Sequence, residues 1–422
     1  MKALRMERRL LKFAAARVAS SFGAGRGAGL GPLRLLDVPA PRSNGEGWVE
    51  VSPILAGICG SDLATVDGRS SRYFEDIVSF PFIPGHEVVG HLRADATDAH
   101  GAALSDGSRV VLQPVLGCAA RGLPLCAACA AGAIGRCGAL SRGHLRPGLQ
   151  TGFCADTGGG WSEGPLTAHV SQLFSVPDEL SDDDAVTIEP MACALHAALR
   201  AQHDEDDVVA VIGAGTLGVG VIAAFGFLAS SGRLPRPKKL LVGARYQVQK
   251  GFAERYGADE VVEPEQLARA VRGASRSLVV GRPDGRTGQL SGGADIVLDC
   301  VGSAESLREA LRLVAPGGRV VVVGMPGNVS LDLAGLWHRE VELAGAYAYG
   351  VEELDGGLVS TFDLAIEMVR SLKTGDIVSA RYPLDRFEEA LAHAGAAGRR
   401  GAIKIVFEAG PRRPVREEGG PR

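Results

Sequence analysis

Short apolar runs broken by glycine, proline and small polar residues fill residues 1–185, as in "SRVVLQPV", and this rhythm predicts a mainly β region. It changes at "LSDDDAVTIEPMACALHAALRAQHD", where an acidic start suited to a helix N-terminus leads into an apolar helical run. From there the apolar runs "DVVAVIGAG", "KKLLVGA", "ADEVVE", "ADIVLDCVG" and "GRVVVVGM" alternate with helix-like segments. That alternation predicts a doubly wound parallel sheet over 186–349. After about Gly350 the pattern is mixed. Leu364, Met368 and Leu372 share one helical face, and "DIVSARYPL" and "AIKIVFE" read as strands returning to the first region. The fold class expected is therefore α/β, with a β domain over 1–185 completed by 350–408. The tail 409–422 reads as disordered. Residues 264–292, rich in Arg and Gly, carry no assignable pattern. The start, "MKALRMERRLLKFAAARVASS", has the Arg and Ala of an organelle transit peptide, but Glu7 interrupts it and "LLKFAAARV" reads equally well as an early strand.

Composition narrows the class of function. At 422 residues the chain is long enough for two domains with sizeable cores. Its 46% hydrophobic and 22% charged residues are ordinary for a globular protein, and no run approaches the ~20 apolar residues of a membrane span. A net charge of −4 offers no electrostatic case for nucleic acid or an anionic membrane. The partner expected is a small molecule. Eight cysteines without a secretory signal point to a reducing cytoplasm, where clustered cysteines suggest metal rather than disulfides.

Two motifs carry chemistry by spacing alone. In "VVAVIGAGTLGVG", Gly213, Gly215 and Gly218 form G-x-G-x-x-G directly after an apolar strand and at the start of an apolar helix. Gly213 allows the tight turn, Gly215 lets backbone approach a pyrophosphate, and Gly218 lets helix and strand pack closely. Thr216 and Leu217, in the same turn, complete the nucleotide-facing set. The second strand of this unit ends in Gly243, Ala244 and Arg245, where a carboxylate would bond the adenosine ribose and repel a 2′-phosphate. With no acid there, and with Arg245 and Lys250 as candidate phosphate partners, NADP is expected over NAD. The other motif is "GCAARGLPLCAACAAGAIGRC", in which Cys126, Cys129 and Cys137 follow C-x2-C-x7-C. Three thiolates so spaced can converge on a tetrahedral ion, with Cys118 or the more distant Cys154 as the fourth ligand of a closed structural zinc site.

"GICGSD", "IPGHEVVG", the cysteine loop, "IEPMACALH" and "VVAVIGAGTLG" occur in this order, and the chain so read resembles the zinc-dependent medium-chain alcohol dehydrogenases, on their polyol, sugar and threonine dehydrogenase side. The resemblance implies a chaperonin-10-like catalytic domain beside a Rossmann domain, and hydride transfer between an alcohol and NAD(P). It implies a catalytic zinc held by Cys59, His86 and Glu189, with Glu87 as neighbour or alternate ligand and Asp62 orienting the His86 ring. Ser61 is then placed to carry the alcohol proton. Ala64 stands where many relatives have a relay histidine. His196, on the Glu189 helix, reads as a packed core histidine rather than a ligand. The two separate ligand groups lead to an expectation of two zinc ions per chain, and the likeness implies a homodimer or homotetramer. A non-catalytic NADP-binding redox sensor or structural relative is the alternative, as is zinc-free quinone or enoyl reduction; the complete ligand set argues against both.

Overall fold

The computed structural model describes residues 1–281, 288–354 and 356–409. The tail expected beyond residue 408 falls outside them except for Ala409, whose N–H donates to Ile54 O at 3.1 Å.

One lobe is built on a seven-stranded sheet. Strands Val378–Pro383, Lys404–Glu408, Trp48–Gly57, Val88–Leu92, Arg109–Leu112 and Leu173–Ser175 lie side by side in that order, and Leu166–His169 pairs with Trp48–Gly57. The two strands from the end of the chain therefore complete a sheet begun near its start. Lys404–Glu408 runs antiparallel to Trp48–Gly57, with Val406 opposite Gly57. Every residue of that last strand but Glu408 is buried, Lys404 included.

The other lobe holds six parallel strands in the order Glu260–Val262, Lys239–Gly243, Val208–Ile212, Ala294–Asp299, Val314–Val322 and Glu342–Gly345. All five residues of Val208–Ile212 are buried, as required of a central parallel strand with helices on both faces. Successive strands leave it first toward one edge and then toward the other. The crevice at its C-terminal end is thus a topological switch point, where such sheets bind ligands.

Three sequence expectations change. "LLKFAAARV" is not a strand: Leu10–Ser20 is a helix between the paired strands Lys2–Met6 and Leu33–Asp37. Its Leu, Lys, Ala and Arg are strong helix formers, and Phe13 and Ala16 face inward while Leu10 and Leu11 stay exposed. The acidic segment gives two helices, Asp182–Val186 capped by Ser181 Oγ and then Ile188–Ala201. Within 264–292 lie a helix, Leu267–Ser275, and a short hairpin, Val279–Val280 with Gln289–Leu290. Among the described residues no helix is long and apolar enough to cross a membrane.

Candidate active site and metal centres

Cys59 caps the helix Gly60–Val66 where the strand Trp48–Gly57 ends. Its N–H donates to Asp62 Oδ2 at 3.0 Å, and the other oxygen of that buried carboxylate lies 3.5 Å from His86 Nδ1. His86 and Glu87 immediately precede the neighbouring strand Val88–Leu92, where Ala56 is paired with Val88. Sheet register thus delivers the three residues to one point. One donor atom each from Cys59, His86 and Glu87 lies within 4.8 Å of the others. A sulfur, an imidazole nitrogen and a carboxylate oxygen suit a zinc-like cation with an open fourth position. The fit is supported by His86 Nδ1 and Asp62 Oδ1, which are buried without a full hydrogen bond: a cation on the other ring nitrogen would strengthen this contact. Burial pushes the His86 imidazolium down, but Asp62 and Cys59 outweigh it and hold it well above its ordinary range.

Glu189, expected as third ligand, is not among these three residues, whereas Glu87, the alternate expected beside His86, is. Glu189 lies in the first turn of the helix Ile188–Ala201 and accepts from Cys193 Sγ at 3.6 Å. Burial pushes its carboxyl up to about 7, with the Glu87 charge adding to the effect. His196 is no ligand either, but it is not simply packed in the core: Nδ1 meets the Glu352 carboxylate at a partly exposed position. Ser61, two residues past Cys59, is half-buried. Ala64 presents only its carbonyl, which accepts from the N–H groups of Arg69 and Ser70.

Sequence reasoning missed Lys404. It is 1% exposed, its ammonium pairs with Glu87, and it donates to Ile58 O at 3.2 Å. Burial disfavours the charge, yet Glu87 and Cys59 hold its pKa above the ordinary value. A lone lysine amid the apolar residues of "AIKIVFE" was the available signal.

Cys118, Cys126, Cys129 and Cys137 also converge, with ligand atoms within 4.8 Å of one another. Cys118 is therefore the fourth member, and Cys154 lies apart, with its Sγ against Arg146 O. The Cys118 and Cys137 sulfurs are 3.7 Å apart and unbonded. Four thiolates at this density repel one another unless a divalent cation neutralises them. Backbone N–H groups of Cys129 and Gly138 bring the Cys126 thiol down to about 6. Arg121, fully buried, ties this lobe to the following loop by donating to Leu116 O, Arg142 O and Gly148 O.

At the switch point Gly213 has φ +88°, and a Cβ on Gly218 would lie 1.9 Å from Gly213 O, so both positions need glycine. Gly215 caps the helix Thr216–Ser230 and is exposed, with open space where a Cβ would stand. Thr216 and Leu217 are half-buried beside it. A cleft of about 480 Å³ is lined by Gly215 and Thr216 on one side and by Ile58 and Gly60, the neighbours of Cys59, on the other. Arg245 and Arg399 line it as well; Arg399, from the other lobe, was not foreseen. Ala244 is buried, its N–H donating to Val262 O. Arg245 is 63% exposed and 3.9 Å from Glu265, while Lys250 is taken by Glu263 at 2.6 Å, which weakens its candidacy as a phosphate partner.

A glycine-rich turn on one wall of the cleft, and a cysteine–histidine–carboxylate group whose Cys59 adjoins the opposite wall at Ile58 and Gly60, suit a two-lobe dehydrogenase architecture. Residues 45–178 match the alcohol dehydrogenase GroES-like domain, and residues 242–364 match the zinc-binding dehydrogenase family. Sorbitol dehydrogenase of Bacillus subtilis is 25% identical over 364 residues, covering 82% of this chain and 89% of the relative. L-idonate 5-dehydrogenase of Vitis vinifera is 26% identical over 370 residues, covering 85% and 87%. The crystal structure of 2R,3R-butanediol dehydrogenase from Bacillus subtilis superposes with a TM-score of 0.64 at 20% identity, covering 96% of this chain and 99% of that one, a likeness of fold. Together the two matches place the chain in the zinc-dependent medium-chain alcohol dehydrogenase family.

Proposed function

We propose that the protein interconverts a secondary alcohol, polyol or sugar and its carbonyl compound, using NAD(P). The observation that carries this is the shared cleft, lined at one end by the turn around Cys59 and at the other by the Gly215 turn. Cys59, His86 and Glu87 would hold a zinc ion and the Gly213–Gly218 turn a nicotinamide dinucleotide; these supply Lewis-acid polarisation of the alcohol oxygen and a hydride acceptor. Around them the chain's own residues do the rest. Asp62 fixes the His86 ring through Nδ1. Lys404 balances the Glu87 carboxylate, which keeps the net charge at the metal group low. Ser61, at the start of the helix after Cys59, is placed to accept the hydroxyl proton while passing its own to water, since Ala64 offers no side chain to relay it. Glu189, with a carboxyl titrating at about 7, is poised to exchange protons beside the site.

The finer reading is two zinc ions per chain, one held by Cys59, His86 and Glu87 and a structural one by Cys118, Cys126, Cys129 and Cys137. NADP is preferred over NAD because Ala244 and Arg245 stand where a ribose-binding acid would. A homodimer or homotetramer in the cytoplasm accords with the family and with eight unpaired cysteines. The test is nicotinamide reduction by a panel of alcohols, polyols and sugars, with Cys59→Ala as control. No turnover by zinc-loaded protein with any of them would refute the reading.

A further inference from the structure

Beside Glu189 stands a polar pair that neither the metal group nor the Gly-rich turn uses. Tyr347 follows Glu342–Gly345, the edge strand of the parallel sheet. It lies near Glu189 and Cys193, yet it remains 47% exposed. Its Oη donates to Gln150 Oε1 of the other lobe at 3.4 Å. Gln150 is 7% exposed, and its carbonyl accepts from the N–H of Phe153 at 3.0 Å. The Phe153 ring stands 5.8 Å from that of His86. Two residues past Tyr347, Tyr349 is 2% exposed, and its hydroxyl, next to Glu189, has no hydrogen-bond partner of good geometry among the described residues. A phenol from one lobe and an amide from the other therefore meet beside the reacting centre, with an unused buried donor behind them.

A bond of 3.4 Å is at the long limit of hydrogen bonding and is readily exchanged. An alcohol hydroxyl accepts and donates at once, so it can sit between a phenol donor and an amide-oxygen acceptor and satisfy both. We propose that Tyr347 and Gln150 are specificity-determining residues that bind a second hydroxyl of the substrate, next to the carbinol being oxidised, so that diols and polyols are selected over monoalcohols. This rests on the dehydrogenase reading above. Tyr347 Oη donates to that hydroxyl, which donates in turn to Gln150 Oε1. A monoalcohol leaves the pair on its own weak bond.

The test is the ratio of kcat/KM for butane-2,3-diol to that for butan-2-ol in the parent, Tyr347→Phe, Gln150→Leu and Gln150→Glu. The parent should favour the diol by about 10- to 100-fold, a range set below the discrimination of fully buried hydroxyl sites because Tyr347 is accessible. Tyr347→Phe and Gln150→Leu should bring the ratio toward one, mainly through KM for the diol. Gln150→Glu keeps an acceptor oxygen and should retain most of the preference. A merely structural role would depress both alcohols alike and leave the ratio unchanged, which overturns the proposal. A parent that oxidises both alcohols equally overturns it too, while the dehydrogenase reading stands. A parent that oxidises neither of these nor any other alcohol overturns both.

Discussion

Lys404→Met isolates the most deeply buried charge pair of the site. Lys404 and Glu87 are 1% and 2% exposed at their side chains, and removing the ammonium leaves a buried carboxylate without its counter-charge. Breaking one side of such a pair costs about 3–5 kcal/mol, whereas removing both charges is often close to neutral. An unfolding entropy of about 2.1 cal/mol/K per residue gives about 0.9 kcal/mol/K for this chain. The expected loss is therefore about 3 to 6 °C in Tm. A cation at Cys59, His86 and Glu87 would itself neutralise Glu87, so the drop should be larger in chelator-treated protein than in zinc-loaded protein. Combining Lys404→Met with Glu87→Gln should recover at least half of it. Thermal denaturation of the parent, the single variant and the double variant, each with and without chelator, provides the measurement. The charge-pair argument fails if Lys404→Met leaves Tm unchanged in chelator, or if the double variant melts no higher than the single.

The Glu189 carboxyl, raised from 4.5 to about 7, binds its proton more tightly in the folded chain than in the unfolded one. Its contribution is fully present below about pH 4.5 and is lost as pH rises through 7, about 3 kcal/mol in all. Glu189→Gln should flatten that slope in urea denaturation of chelator-treated protein; an unaltered slope would show that the group does not titrate there. Metal analysis should give two zinc ions per chain, falling to one in Cys118→Ser or Cys126→Ser and staying at two in Cys154→Ser; a loss in Cys154→Ser would reinstate it as a ligand. Arg245→Ala should weaken NADPH by about 10-fold, the low end for a charge-assisted contact, because the side chain is 63% exposed with Glu265 as a competitor. Fluorescence titration that finds NADH bound more tightly by the parent would refute the NADP preference.

How far the sequence reaches depends on how local each feature is. The Gly213–Gly218 turn and the Cys126–Cys137 cluster were legible because spacing along a few residues fixes their chemistry. The parallel sheet was legible because short apolar runs alternate with helical segments, the central Val208–Ile212 being apolar and buried throughout. The helix Leu10–Ser20 was not, since its apolar residues are split between an inner and an exposed face, and nine such residues satisfy strand and helix patterns alike. That Glu87 rather than Glu189 falls within 4.8 Å of both Cys59 and His86 depends on the register of Val88–Leu92 against Trp48–Gly57, and motif order does not contain it.

The contacts that no spacing encodes are those that join the lobes or return from the chain end: Lys404 to Glu87, Arg399 across the cleft from Gly215, and Tyr347 to Gln150. Lys404 and Tyr349 share one physical signature, a polar group placed where the surrounding pattern calls for an apolar residue. Lys404 interrupts a buried strand, and the Tyr349 hydroxyl is buried without a partner of good geometry among the described residues. Each is costly to bury alone, so each marks a place where a distant residue or a ligand must supply the missing interaction. For Lys404 the structure supplies it from within the chain, through Glu87. For Tyr347 the internal partner is a single long bond and for Tyr349 there is none of good geometry among the described residues, which is why this polar pair, rather than the buried ion pair, is where substrate selection should be sought.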